Sequence, residues 1–357
     1  MRLSILTLAL VGVLTGASAT ADADGGQAQR QTLFTRTADG FTVAVREVRP
    51  ARASGTPVVL LHGARVPGEA SFDLPVPGGS LAADLTAAGH PVYVVDARGY
   101  GRSQRPRAMH RPPAESAPLV RSHEVVRDID AAVDLVRRRT GASGVTLFGW
   151  ATGGHWAGMY TALHPEKVGG LVLFNSLYGG TAGHPTLGHG SPYEDPDRPG
   201  RFHAEAYGGY RLSTAESLLG SWDDSIPDQD KSTWRDPAVV AAYQRAALAS
   251  DPESGRHSPP AFRAPTGALA DSFYLAIGHR AWDASAITAP VLILRSERDF
   301  WSRAEDVTRL TADLVDAPEV RAVTLPGATH YAHLDRPDRG RATLLTELTA
   351  FLDRRAR

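Results

Sequence analysis

The residues VTLFGWATGG at positions 145–154 give the strongest indication of how this chain folds. A short apolar run from Val145 to Phe148 leads into a glycine-rich turn, and a helix-like segment follows from His155 to Leu163. The pattern predicts a buried strand, a tight turn and a helix. Small residues on both sides of the turn allow the strand and the helix to approach closely. Ala151 lies at the apex of this turn.

Strand, glycine-rich turn and helix form the layout of the nucleophile elbow, G-x-S-x-G, in which a serine lies at the apex. The chain has the glycines of this motif but carries Ala151 in place of the serine. Because alanine has no hydroxyl, we expect efficient acyl-enzyme chemistry to be lost. Thr152 is a poor substitute, since its side chain should not take the direction of the apex.

Length and composition indicate an ordinary globular protein. The 357 residues suffice for one large domain or two small ones, and the formal net charge is −1. This charge balance argues against nucleic acid or an anionic membrane surface as a partner. The basic residues are mostly arginine, as in GC-rich bacteria, and the chain has no cysteine for a disulfide.

The N-terminus predicts export. An apolar segment from Leu3 to Leu14 follows a single arginine and is too short to span a bilayer comfortably. Small-x-small cleavage patterns follow at Ala17–Ala19 and Ala21–Ala23. We therefore expect a signal peptide at 1–23, a disordered lead-in at 24–32 and a secreted product, extracellular or periplasmic, with no membrane attachment. The alternative is a buried N-terminal helix.

Apolar runs that alternate with helical patterns predict a mostly parallel, doubly wound sheet of about eight strands. Strands are predicted at 41–48, 58–61, 92–95, 145–148, 171–174, 291–294 and 320–325. Helices are predicted at 80–88, 122–139 and 339–357, and the pattern is clearest at 122–139. This rhythm stops at 178–286, which contains helix-like pieces at 237–249 and 269–282. We interpret 178–286 as a helical cap inserted into a core formed by 33–177 and 287–357.

Four blocks in this order resemble the α/β-hydrolase superfamily from about residue 33 to the C-terminus. The first is His62-Gly63-Ala64, directly after a buried strand, and the second is the loop from Asp96 to Ser103. The elbow is the third block. The fourth joins an acid after the strand at 291–294 to a histidine in the loop 327–337. The resemblance implies an α/β-hydrolase fold and a structural role for the loop that begins at Asp96.

The resemblance also implies the roles of individual residues. Asp299 is expected to be the acid, with Glu297 as the second candidate, and His330 the base. The backbone N–H groups of Ala64 and Thr152 are expected to form an oxyanion hole, which can stabilise a developing negative charge by a few kcal/mol. Arg65 is the second candidate for the first of these donors. His333 is expected to support the loop that carries the base.

The pocket and possible ligands follow from the same positions. Trp150 and Phe300 adjoin the apex and the acid, so we expect them to line the substrate pocket together with Arg65. Six acidic and histidine residues of the cap lack any local metal-binding spacing and are interpreted as a solvated loop: His184, His189, Glu194, Asp195, Asp197 and His203. We expect a small-molecule substrate and no metal or organic cofactor.

Three interpretations of Ala151 stay open. The chain is a serine esterase or lactonase inactivated by replacement of its serine, an enzyme that uses a His330–Asp299 dyad without a serine, or a ligand-binding pseudoenzyme. In the second case the dyad acts as a general base on a small ester, lactone or amide, or removes a substrate proton in a lyase or cofactor-free oxygenase reaction. The first interpretation expects turnover only after the serine is restored, and the second expects turnover by the chain as it is, dependent on His330. The third expects no turnover.

Overall fold

A computed structural model of the protein describes residues 28–355, so the predicted signal peptide at 1–23 lies outside the described residues. In chain order the elements are β1 (Gln29–Arg36), β2 (Thr42–Arg49), β3 (Val58–Leu61), α1 (Gly68–Phe72), α2 (Leu81–Ala87), β4 (Val92–Val95), α3 (Ser122–Thr140), β5 (Val145–Trp150), α4 (Thr152–Leu163), β6 (Val168–Phe174), α5 (Ala204–Tyr207), β7 (Tyr210–Thr214), α6 (Gly220–Ser225), α7 (Pro237–Ala249), β8 (Ala261–Pro265), α8 (Gly267–Ala276), β9 (Val291–Arg298), α9 (Ala304–Asp313), β10 (Val320–Thr329) and α10 (Arg341–Asp353).

The central sheet has eight strands in the order β1-β2-β4-β3-β5-β6-β9-β10. Strand β2 pairs antiparallel with β1 and β4, and all other pairs are parallel. The central strands β3, β4 and β5 are buried along their whole length, as continuous apolar strands covered on both faces are expected to be. The predicted fold class, a mostly parallel sheet of about eight strands, is confirmed.

Two hydrophobic cores cover the two faces of this sheet. Successive side chains of a strand point to opposite faces, so Leu60 and Phe148 pack in one core and Leu61 and Leu147 in the other. Helices α1, α2 and α10 contribute to the first core, and α3, α4 and α9 to the second. No helix within 28–355 is long and apolar enough to cross a membrane.

The disordered lead-in predicted at 24–32 is wrong from residue 29 onward, because Gln29–Arg36 forms the edge strand β1. Its backbone pairs with β2 over eight residues, from Gln29 opposite Arg49 to Arg36 opposite Thr42. Arg30 also forms an ion pair with the buried Asp73 at 3.2 Å. The polar composition of an exposed edge strand looks like that of a loop, which explains the error.

The segment predicted as a cap contains helices α5 to α8, and the sequence placed α7 correctly at 237–249. The Asp236 carboxylate caps α7 by accepting from the N–H of Ala238 at 2.8 Å. The description of the cap as helical is incomplete, because β7 and β8 pair in an antiparallel sheet. These strands are far apart in sequence, so no local hairpin signal marks them. Tyr243 of α7 packs in the same core as the sheet residues, so the cap lies directly on the core.

Candidate active site

The elbow connects β5 to α4, and Ala151 at its apex has φ 52° and ψ −119°. A positive φ is strained for a residue with a Cβ and costs on the order of 1–3 kcal/mol. The N–H of Ala151 donates to the Phe174 carbonyl oxygen of β6 at 2.8 Å, which fixes the turn to the sheet. A Cβ added at Gly153 would overlap the carbonyl oxygen of Leu61, so this position requires glycine. The elbow has therefore kept its strained geometry without a serine.

The His62-Gly63-Ala64 turn lies beside the elbow, since a Cβ added at Gly63 would lie 3.5 Å from the Cβ of Ala151. His62 fixes this turn: its Nδ1 donates to the Gly63 carbonyl oxygen at 2.6 Å, and its Nε2 accepts from the N–H of Ala97 at 3.2 Å. Burial lowers the pKa of His62, so the ring is neutral in this pair of bonds.

The two predicted oxyanion donors lie on the same cavity. Ala64 is the last residue of this turn, and Thr152 is the first residue of α4, where backbone N–H groups have no intrahelical acceptor. Both residues line the cavity together with Ala151. The N-terminal end of a helix also favours negative charge, which suits a developing oxyanion. The structural role expected for the loop at Asp96 agrees with its contacts, since the Asp96 carboxylate accepts from the backbone N–H of Gly68 at 2.8 Å.

His330 and Asp299 form a close pair. The Nδ1 of His330 donates to Oδ1 of Asp299 at 2.6 Å, and both side chains are buried. An ionised carboxylate can only accept, so Nδ1 carries the proton and Nε2 keeps its lone pair in the neutral ring. Glu297, the second candidate for the acid, is exposed and accepts from the N–H of Gly327 instead.

Asp299 is itself held in place. Its carboxylate accepts from the N–H of Trp301 at 3.0 Å, from the N–H of Ser302 at 2.8 Å and from the Ser302 hydroxyl. A buried carboxylate is stable only when such bonds satisfy it. These bonds fix the position of the Asp299 carboxylate, which accepts from Nδ1 of His330 and so sets the tautomer of the ring.

The backbone of His330 is fixed by two residues from neighbouring strands. The indole N–H of Trp150 donates to the His330 carbonyl oxygen at 3.0 Å, and the Asn175 amide donates to the same oxygen at 3.1 Å. Asn175, which directly follows β6, has a φ of 50° and also accepts from the N–H of Ser296 at 2.7 Å. Asn175 was not predicted from the sequence as a site residue. Its position after a buried strand, at the edge where α/β sheets bind ligands, was the available signal.

Aromatic rings surround the imidazole of His330. The ring centroid of Phe300 lies 4.7 Å from it and that of Trp150 lies 5.1 Å from it. His333 is fully buried, and its ring lies 4.4 Å from that of Trp150. It packs beneath the site, as expected for a residue that supports the loop.

A cavity of about 570 Å³ joins these groups. Seven of the predicted site residues line it: Ala64, Arg65, Trp150, Ala151, Thr152, Phe300 and His330. Asp299 does not line this cavity and reaches it through His330. The structure therefore places the predicted apex, base, oxyanion donors and pocket residues around one space, between the sheet and the cap.

A second group of serine, histidine and aspartate lies elsewhere and is not a catalytic triad. The Ser122 hydroxyl lies between Asp271 and His155, at 2.5 Å from Oδ2 of Asp271 and 3.0 Å from Nε2 of His155. The other ring nitrogen of His155 accepts from the indole N–H of Trp282 at 3.2 Å, and none of these residues lines the cavity. Both ring nitrogens of His155 already have hydrogen-bond partners, so the ring cannot act as a base for a nucleophile. The cluster instead joins α3, α4 and α8 structurally.

The polar residues of the cap make hydrogen bonds within the cap and, through His184, to the loop after β9. His184 is buried and bonds the Trp301 carbonyl oxygen at 3.0 Å through Nε2, while its Nδ1 accepts from the N–H of Leu187. His189 lies 2.8 Å from a carboxylate oxygen of Glu194 at the surface. Across residues 28–355, no group of three or more such side chains is arranged to hold a metal ion.

Asp335 is a buried acid that joins the cap to the loop of His330. Its carboxylate accepts from the Trp222 indole at 2.8 Å and from the Thr329 hydroxyl at 2.6 Å. Trp222 in turn stacks on Tyr331 with ring centroids 4.6 Å apart. Burial raises the pKa of Asp335 to about 7.

This raised pKa predicts a pH-dependent stability. The ordinary pKa of the group is 3.8, so between about pH 4 and about pH 7 the folded chain keeps a proton that the unfolded chain has released. The free energy of unfolding of the natural chain should therefore fall relative to that of Asp335→Asn as the pH rises through this range. We expect a change on the order of a few kcal/mol, followed by a plateau above about pH 7.

Urea unfolding of both proteins across this pH range measures the difference. The exposed residue Asp338 offers a matched control, since Asp338→Asn should follow the natural chain at every pH. A difference between the natural chain and Asp335→Asn that does not change with pH would contradict the prediction.

The fold and the site together define the class of protein. A mostly parallel eight-stranded sheet, an elbow after β5, an acid after β9 and a histidine after β10 form the arrangement of the α/β-hydrolases. Residues 79–337, more than half of the chain, match the model of the hydrolase family described as serine aminopeptidase, S33, and the chain belongs to this family.

Two solved esterase structures share the fold of this chain, and one curated sequence resembles a part of it. A thermophilic esterase from Thermogutta terrifontis is 18% identical, with a TM-score of 0.55 over 92% of this chain and 100% of its own. The esterase RhEst1 from Rhodococcus sp. ECU1013 is 20% identical, with a TM-score of 0.56 over 90% and 98%. These likenesses show a shared fold. The poly(3-hydroxyalkanoate) polymerase subunit PhaC of Haloarcula marismortui is 35% identical over 94 residues, which are 26% of this chain and only 17% of that protein.

Proposed function

We propose that this chain hydrolyses a small ester, lactone or amide with His330 as a general base and a water molecule as the nucleophile. The observation that carries this proposal is the 2.6 Å bond between His330 Nδ1 and Asp299 Oδ1, beside a cavity that both His330 and Ala151 line. A base with a fixed tautomer is needed to activate a nucleophile. The arrangement keeps that base although the serine is absent.

The reaction would use the chain's own groups in order. Asp299 holds the proton on Nδ1 of His330, so the lone pair of Nε2 can take a proton from a water molecule in the space that a serine hydroxyl would fill. The hydroxide attacks the carbonyl carbon, and the N–H groups of Ala64 and Thr152 stabilise the oxyanion. His330 then returns the proton to the leaving alkoxide or amine.

The experiment is turnover of a panel of 4-nitrophenyl esters, lactones and anilides by the natural chain, with His330→Ala as the reference. Turnover by the natural chain that is lost in the reference supports the proposal. Turnover that is equal in both proteins rejects His330 as the base, and no turnover of any substrate favours a pseudoenzyme.

We also propose that the chain is exported by the leader at 1–23. The support is the apolar segment from Leu3 to Leu14 followed by small residues at the cleavage patterns. N-terminal sequencing of the protein secreted by a bacterial host should begin after Ala19 or after Ala23. Recovery of the whole chain with an intact Met1 only inside the cells would contradict export.

A further inference from the structure

In the part of the chain that the structure describes, Arg211 of β7 forms no ion pair. Its side chain is half-buried and lines the same cavity as Ala151 and His330. Within residues 28–355, its Nε is buried without a hydrogen-bond partner. The charged or titratable groups with the strongest effect on it are Arg65 and three tyrosines, and no carboxylate is among them. A cation in such a place is unfavourable unless an anion joins it.

Arg65 adds a second positive charge without neutralising the first. Its guanidinium donates to the Ser213 hydroxyl at 3.0 Å and to the Ser217 carbonyl oxygen and hydroxyl at 2.8 and 2.6 Å. All three acceptors are neutral groups of the cap, so they orient Arg65 but leave its charge uncompensated. Burial and the nearby Arg65 lower the pKa of Arg211 to about 10, so the Arg211 side chain stays protonated at neutral pH.

The other charged residues of the cavity do not offset this pair. Asp224 and Arg298 also line it, but both are exposed and have opposite charges. Charges in contact with water are strongly screened, whereas a half-buried cation is screened much less. The inner part of the cavity therefore has a positive charge.

We propose that Arg211 and Arg65 form an anion-binding subsite, so that the substrate carries a carboxylate or a phosphate group in addition to its ester, lactone or amide bond. Guanidinium groups bind both kinds of anion through paired N–H donors. The apolar side chains of Leu187, Leu269 and Trp301 line the same cavity and suit the carbon skeleton between the two groups. The hydrolytic part of this assignment rests on the proposed function, whereas the binding part does not.

The fold does not need the guanidinium of Arg211. The residue takes part in the sheet of the cap through its backbone, opposite Ala264 of β8. Arg211→Met keeps the apolar stem of the side chain and removes only the charge and the donors. Arg211→Lys keeps the charge without the paired donors. Arg245, which is exposed on α7, supplies the matched control Arg245→Met.

The test is calorimetric binding of three probes that share one anilide skeleton to the full chain. Glutaric acid monoanilide carries a carboxylate, its primary amide is neutral, and a phosphonate of the same length carries the other anion. We expect at least one anion to bind the natural chain and Arg245→Met about tenfold or more tightly than the neutral amide. Arg211→Met should lose this preference, and Arg211→Lys should keep a part of it.

Equal affinity for the anionic and neutral probes, or a preference that survives in Arg211→Met, would overturn the subsite. Failure of both anions to bind would overturn it too. The anion that binds more tightly indicates whether the substrate carries a carboxylate or a phosphate group. Because binding of the probes does not require turnover, an anion preference that depends on Arg211 in a chain that hydrolyses nothing rejects the proposed function and keeps the subsite.

Discussion

Ala151→Ser should raise the hydrolysis of 4-nitrophenyl acetate by about 10³–10⁶-fold over the natural chain. Loss of the serine in triad proteases lowers kcat by about 10⁶-fold, and the reverse change should recover much of that factor where the other groups are in place. Here the other groups are present, because the Asp299 carboxylate lies 2.6 Å from the Nδ1 of His330. The substitution adds only one hydroxyl to a Cβ that already faces the cavity.

The elbow should accept this serine without rearrangement. The strained conformation of Ala151, with φ 52°, is already present, so the substitution adds no new backbone strain. The added oxygen would enter a cavity of about 570 Å³ rather than a packed core. We therefore expect the free energy of unfolding to change by less than about 0.5 kcal/mol.

A burst of 4-nitrophenol and a mass shift on residue 151 after treatment with a fluorophosphonate would measure the acyl-enzyme chemistry directly. Ala249→Ser, at an exposed position of α7, is the matched control and should show neither signal. Ala151→Ser combined with His330→Ala should lose the gain. A folded Ala151→Ser protein with no burst would show that His330 does not reach the apex.

The sequence predicted the parts of the site that local patterns encode. Gly149, Gly153 and the strand before them identify the elbow, because close backbone approach leaves no other residue type possible at Gly153. The loop around His330 was predicted from its resemblance to the corresponding loop of the α/β-hydrolases. The choice between Glu297 and Asp299 needed the structure, since both lie at the C-terminal end of β9 and only Asp299 forms a hydrogen bond with His330.

The missed residues depend on contacts between distant parts of the chain. Asn175 contacts the loop of His330 across 155 positions of sequence. The isolation of Arg211 depends on the pairing of β7 with β8 and on which carboxylates lie near the cavity. Neither the contact of Asn175 nor the isolation of Arg211 produces a periodic or local pattern in the sequence. The edge strand β1 was missed for a related reason, because its pairing with β2, not its composition, makes it a strand.

His330→Ala should lower the turnover of the natural chain by about 10²–10⁴-fold, the usual contribution of a general base. The variant removes the only group of the dyad that lines the cavity, since Asp299 lies behind it. Its effect should fall on kcat, because the cavity walls that bind the substrate stay in place. Asp299→Asn should also lower kcat, since an amide can donate to Nδ1 and favour the wrong tautomer of His330.

The control for this loss is His123→Ala, an exposed histidine on α3, which should keep full activity. Added imidazole should restore part of the activity of His330→Ala, because the small base can enter the space left by the ring, and a purely structural role would not respond to it. Rescue by imidazole, with KM nearly unchanged, would establish His330 as the base. A folded His330→Ala protein with natural kcat would instead mean that the carbonyl is attacked without it, and that the 2.6 Å bond to Asp299 serves only to hold the loop.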